Sequence, residues 1–154
     1  MIAHVGHRGA FSRTEQFDLL FAEEQQSGCN EMPAYRQLAQ SMQALRSHEL
    51  GLLDRWHREG KRVFGMGAPV KGNTLLNYLK VDASSIEVLV ERNPLRRGLF
   101  APGSHIPVVV EDEFHEVPDV YYVLAWNFKE EILKRYENLK LNGTLFHFPV
   151  NPRL

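Results

Sequence analysis

Residues 61–78 read Lys-Arg-Val-Phe-Gly-Met-Gly-Ala-Pro-Val-Lys-Gly-Asn-Thr-Leu-Leu-Asn-Tyr. The apolar pair Val63-Phe64 leads into Gly65, Met66 and Gly67, and Leu75, Leu76 and Leu79 then fall on one side of a helical pattern. This order predicts a strand, a glycine turn and a helix. A residue without Cβ lets the backbone turn sharply and approach a ligand closely. A helix start at such a turn gathers free N–H groups that suit an anion. Lys71 adds a positive charge there, and Asn73 a donor and an acceptor. The pattern falls short of the full dinucleotide fingerprint: Val70 stands where its third glycine belongs, and Gly72 comes two residues late. The same stretch also suits a tight strand-to-helix connection in a parallel sheet that binds nothing.

Downstream, Ile86–Val90 reads as a second strand and ends in Glu91. Pro107–Val110 is a third, Val120–Ala125 a fourth, apolar throughout and so expected to be buried on both faces, and Thr144–Phe148 a fifth. Glu111–Glu116 is a short helical or turn segment closed by Pro118. Phe128–Leu141 is a helix turning Ile132, Leu133, Tyr136 and Leu139 to the sheet, capped by Asn142-Gly143. The alternation predicts an α/β fold of about five mostly parallel strands in Rossmann-like order, flanked by helices, with Val63-Phe64 beside Val120–Ala125.

Upstream lies a helical extension. Ile2–Val5 is a short strand candidate. Ser12-Arg13-Thr14-Glu15 is a capping-box pattern ahead of Phe17, Leu20 and Phe21, and Gly28 is the expected stop. A longer helix runs from about Met32 to Glu59, with Pro33 in its first turn and Gly60 after it. Tyr35, Leu38, Met42, Leu45, Leu52 and Trp56 form its apolar stripe, broken at Glu49. The expected organisation is an extension over residues 1–60 that packs on a Rossmann-like domain over 61–154, the whole treated as one domain.

Candidate ligand residues gather where the carboxyl ends of the strands share one edge. Glu91 ends the second strand, where an acidic residue commonly accepts from ribose hydroxyls; a solvated strand end fits equally well. Arg92–Ile106 shows no helical or strand period and carries three arginines and His105. Loops of this length tend to be functional or mobile. Its arginines suit phosphate oxygens, although a solvated basic loop is the ordinary fate of such a charge run. Trp126-Asn127 follows the fourth strand at the same edge.

Composition bounds the rest. In 154 residues, 44% hydrophobic, there is material for a proper core. A net charge of −1 gives no reason to expect nucleic acid or an anionic membrane as partner. A single cysteine, Cys29, cannot build an internal disulfide and fits a reducing compartment. No apolar run reaches the length of a membrane span, and residues 1–10 have no signal-peptide core. A cytoplasmic protein is the default expectation. No histidine or cysteine spacing suits a metal site, and no Gly-x-Ser-x-Gly elbow is present.

The stretch from Gly60 to Tyr78, with Glu91-Arg-Asn-Pro94, Gly98, Pro102-Gly-Ser-His-Ile-Pro107 and Ala125-Trp-Asn127, closely resembles the C-terminal domain of S-adenosylmethionine-dependent sugar C-methyltransferases. The likeness covers residues 10 to 150 in order. Glu91 stands where that family usually has Asp, and Arg96 where it usually has Lys. The resemblance implies a Rossmann-like domain that helps hold a nucleotide-linked deoxysugar against a central methyltransferase domain. It also implies that Ile2–His7 is the last strand of that central domain. S-adenosylmethionine and the catalytic base belong, on this resemblance, to the central domain or a partner chain, with no cofactor and no catalytic residue in this one. The ligand residues it implies are Gly65, Gly67, Ala68, Lys71, Gly72, Asn73, Glu91, Arg92, Asn93, His105, Trp126 and Asn127.

Three function classes follow. The first is a nucleotide-sugar-binding module, part of a C-methyltransferase or partner to one. The second is a free-standing, oxidoreductase-like enzyme with its own nucleotide, for which a full glycine fingerprint and a catalytic acid or base are wanting. The third is a structural or interaction module that has lost its ligand.

Overall fold

A computed structural model describes residues 5–150. The chain divides into two compact units, one up to Gln43 and one from Ala44 onward. The strand expected from Ile2 lies outside the described residues up to His4, and Val5 is in no strand.

In the first unit, α1 spans Glu15–Ser27. Its cap is Thr14 rather than the expected Ser12: Thr14 has extended backbone and its hydroxyl accepts from Phe17 N at 3.2 Å, which satisfies one of the free donors of the first turn. Gly28 ends the helix in the left-handed region (φ 64°), as the sequence predicts. No residue of α1 is buried, and Phe17, Leu20 and Phe21 stand 44%, 42% and 46% exposed. The α2 helix, Met32–Arg58, begins in this unit, where Tyr35 and Leu38 of the expected stripe are exposed.

The second unit contains the rest of α2 and the sheet. The strands are β1 (Val63–Met66), β2 (Leu89–Glu91), β3 (Val108–Val110), β4 (Val120–Val123) and β5 (Leu145–His147). Their order is β3-β2-β1-β4-β5, and every pairing is parallel. Val63 pairs with Val120 and Phe64 with Tyr121, as expected for a Rossmann-like sheet. Helix α3 (Val70–Leu79) joins β1 to β2. The predicted helix over 128–141 is divided into α4 (Lys129–Arg135) and α5 (Glu137–Leu141). Tyr136 leaves helical geometry between them (φ −105°, ψ 27°), where its ring stacks on Phe146 and its hydroxyl donates to Glu111. Among the described residues, no helix is long and apolar enough to cross a membrane.

Burial on both faces explains the unbroken apolar strands. On one face Val63, Leu89, Val108, Val120, Tyr122 and Leu124 pack with Leu53 and Trp56 of α2 and Leu75, Leu76 and Leu79 of α3. On the other Phe64, Met66, Val90, Tyr121 and Val123 pack with Ile132 of α4.

Glu49, which interrupts the apolar stripe in the sequence, is 1% exposed. Its Oε2 accepts from the Tyr122 hydroxyl at 2.8 Å and from His147 Nε2 at 2.8 Å. The polar residue is therefore a deliberate core contact between α2, β4 and β5. Burial pushes the carboxyl up, but hydrogen bonds from His147 and Tyr122, with the positive fields of His147 and His48, outweigh it and hold the group below the usual carboxylate range.

A depressed folded-state pKa contributes stability above the unfolded value, about 4.3 for Glu, and that contribution is lost as pH falls through the folded value. Glu49→Gln should therefore lower stability at pH 7 by about 1–3 kcal/mol. It should also flatten the acid limb of the stability profile. Urea denaturation of both proteins from pH 7 to pH 3 checks this, and parallel pH profiles would contradict it.

Candidate functional site

The glycine turn is shaped by packing. A Cβ on Gly65 would lie 2.3 Å from Leu89 Cδ2, so close pairing of β1 with β2 requires glycine there. A Cβ on Gly72 would lie 2.8 Å from Leu124 Cβ, so Gly72 lets α3 settle onto the end of β4. Gly67 has a left-handed backbone (φ 80°), which turns the chain out of β1 toward Pro69 at the N-terminus of α3.

Glu91 fastens this turn to the end of β2. Its Oε2 accepts from Ala68 N at 3.0 Å, and its Oε1 accepts from Arg92 N at 2.8 Å and Asn93 N at 3.1 Å. Arg96 closes the arrangement, with Nη1 3.8 Å from Glu91 Oε2 and a hydrogen bond to the Ala68 carbonyl. Asn93 Oδ1 accepts from Leu95 N at 3.0 Å and starts the 3-10 turn Pro94–Arg96. Both Glu91 oxygens thus serve backbone donors, whereas the sequence suggests a ligand hydroxyl for them.

The loop over 92–106 has no long helix or strand, as expected, yet it is well tied. Phe100 and Pro107 form an antiparallel bridge, and Asn77 Nδ2 donates to the Pro102 carbonyl at 2.9 Å. His105 adopts φ 55° and is exposed between buried Ser104 and Ile106.

A pocket of about 600 Å³ opens at this edge, on the α4 side of the sheet. Met66, Val90, Tyr121 and Ile132 give it apolar walls. Arg92, Arg96 and Arg135 and the acids Glu91, Glu111, Asp112 and Glu131 supply its charges. The charges sit in long pairs: Arg92 to Glu131 at 3.6 Å and to Glu111 at 4.0 Å, and Arg135 to Glu111 at 3.6 Å. Burial first, then the hydrogen bond to Glu111 and that residue's charge, push the Tyr136 hydroxyl well above its ordinary value, so it donates.

Of the residues singled out in the sequence, Gly67, Glu91, Arg92 and Asn93 line this pocket. Gly65, Ala68, Lys71, Gly72, Asn73, His105, Trp126 and Asn127 do not. Lys71 Nζ lies 4.9 Å from the Trp126 ring, so those two meet each other, and Asn73 Oδ1 is buried without a hydrogen-bond partner. The pocket is also lined by Glu111, Glu131 and Arg135, which no motif in the sequence marks, and by Tyr136, to which the sequence gives only a sheet-facing role. The signal for Glu111 was its place directly after β3, at the same carboxyl edge as Glu91. Among the described residues, no cluster of His, Cys, Asp and Glu is arranged to hold a metal ion.

Fold and edge together define a Rossmann-like α/β domain with a charged cleft at the carboxyl ends of its parallel strands. The family described as C-methyltransferase C-terminal domain matches residues 1–151. The C-methyltransferase NovU of Streptomyces niveus is 34% identical over 137 residues, which is 88% of this chain and 33% of that protein. The chain belongs to the C-methyltransferase C-terminal domain family and spans about a third of the length of that relative.

Glu91→Ala should strip three backbone donors of their acceptor. A hydrogen bond to a charged group contributes about 1.5–3 kcal/mol net; with only the Ala68 contact part-buried and those of Arg92 and Asn93 open to water, a loss of about 2–3 kcal/mol is expected in urea denaturation. Amide exchange at Arg92 and Asn93 should accelerate with it; unchanged exchange there would show that the carboxylate is dispensable.

Proposed function

We propose that this chain is an acceptor-binding domain of a C-methyltransferase. It holds a nucleotide-linked sugar at the carboxyl edge of its sheet while a separate domain or chain presents the methyl donor. The observation that carries the reading is the pocket itself, with apolar walls and loosely paired arginines where open α/β sheets take ligands. Arg92 is its most available cation, with a side chain 61% exposed and no ion pair shorter than 3.6 Å. It can exchange those contacts for a diphosphate. Lys71 and Trp126 flank the same edge.

S-adenosylmethionine, which supplies the methyl group, is assigned to the other domain. The end of β2 is where a carboxylate would take adenosyl ribose hydroxyls, and the Glu91 oxygens are already engaged by Ala68, Arg92 and Asn93. The task of this chain is therefore binding and orientation. The exposed apolar residues of α1 are a surface suited to that partner, since a 13-residue helix with no buried residue is marginal in water by itself.

Calorimetry at high protein concentration with UDP-, GDP- and dTDP-glucose tests the reading. At least one should bind, weakly, and Arg92→Ala should weaken it by about 10- to 100-fold, the worth of one charge-assisted contact. Lys71→Ala should weaken it as well. Affinities equal to wild type in both variants would take the diphosphate away from this edge.

The chain alone should transfer no methyl group from S-adenosylmethionine to any of these sugars. Turnover above a protein-free control would contradict the division of labour.

A further inference from the structure

Tyr121 of β4 lies deep in the pocket. It pairs with Phe64, two residues before Val123 meets Met66 at the end of the strands, so it sits about 7 Å below that edge. The residue is 5% exposed and its ring stacks on Phe146. Its hydroxyl has no hydrogen-bond partner among the described residues, whereas those of Tyr122 and Tyr136 donate to Glu49 and Glu111. Nor is that hydroxyl sealed in: the unpartnered polar side-chain atoms closed to solvent among the described residues are Asn73 Oδ1, Ser104 Oγ and Glu111 Oε2. Burial, and then the charge of Glu111, push the Tyr121 hydroxyl above its ordinary value, so it keeps a proton to donate. A hydroxyl this deep with no acceptor in the protein calls for one in whatever fills the cavity.

Above it, Met66 and Val90 of the sheet and Ile132 of α4 offer no strong donor or acceptor. At the mouth stands Arg92, with a side chain 61% exposed. The pocket thus runs from a cation at its opening, past apolar walls, to one free hydroxyl. We infer that the nucleoside base of the nucleotide sugar enters this pocket, its ring against Met66, Val90 and Ile132 and a base carbonyl accepting from the Tyr121 hydroxyl. The inference rests on the nucleotide-sugar reading and adds an orientation to it. The diphosphate stays at the rim on Arg92, because the Glu111 carboxylate repels it from the interior. The sugar then projects out of the pocket, where a second domain can reach it with the methyl donor.

Two measurements test the orientation. Saturation-transfer NMR on the wild-type chain with UDP-, GDP- and dTDP-glucose should show the strongest saturation on base protons and the weakest on glucose protons. Calorimetry should show that Tyr121→Phe weakens UDP, GDP or dTDP by about three- to tenfold, the worth of one neutral hydrogen bond. Inorganic pyrophosphate, which lacks the base, should bind more weakly than any of them and should not sense the substitution. The lost hydroxyl has no partner in the protein, so the variant should fold as wild type does, which circular dichroism checks. Glucose protons saturated as strongly as base protons, or equal nucleotide affinity in the two proteins, overturns the inference while the nucleotide-sugar reading stands. If the wild type binds none of the nucleotide sugars, that reading falls and the inference with it.

Discussion

The carboxyl edge of this sheet depends on one side chain. Glu91 reaches from the end of β2 to the turn after β1 and at the same time caps the two residues that follow it. Without an acceptor there, the Ala68, Arg92 and Asn93 amides would compete for water at the place where two strands and a loop must stay in register. Arg96 adds a second tie to the same turn through the Ala68 carbonyl. The loop over 92–98 therefore leaves β2 in a fixed direction, and Arg92 is delivered to the rim of the pocket as a consequence.

The pocket combines charges of both signs with apolar walls. Pairs at 3.6–4.0 Å are long for charge-assisted contacts, which usually close to about 2.7–2.9 Å. Groups held at such separations can change partners at little cost. A ligand carrying both an anion and hydrogen-bond donors meets that arrangement from both sides, and a plain hydrocarbon or a plain anion meets only half of it. The fold places this chemistry on the α4 side of the sheet, while the packing glycines face α3 and the neighbouring strands.

The fold was legible because its decisive signals are local. Val63-Phe64 before Gly65, and the unbroken run Val120–Ala125, announce central strands by themselves. The site was less so. Glycines at 65 and 72 read as ligand contacts, yet a missing Cβ serves close packing on Leu89 and Leu124 as well as it serves a phosphate. Sequence cannot separate the two uses, because both need the same atom to be absent. Glu111, Arg135 and Tyr136 come together only through the sheet and the break between α4 and α5, and no spacing advertises such a meeting. Thr14 displaced Ser12 as cap although only Ser12 has a Glu three residues on: the hydroxyl of Thr14 accepts from Phe17 N without the reciprocal contact of a capping box.

Glu49 carries an implication for how this architecture tolerates change. The second half of α2 could dock on the sheet through greasy contacts alone, and such contacts are forgiving: a helix can slide by a turn, about 5.4 Å, and still bury leucines. A carboxylate that must meet Tyr122 and His147 removes that freedom, since any other alignment would leave it against hydrocarbon. It works as an index mark. Descendants of this sequence can shuffle Leu45, Leu52 or Leu53 among aliphatic alternatives, but the helix cannot be re-indexed without rewriting three residues at once. Any shortened version of the domain that begins after Glu49 would inherit a tyrosine and a histidine with no acceptor between them.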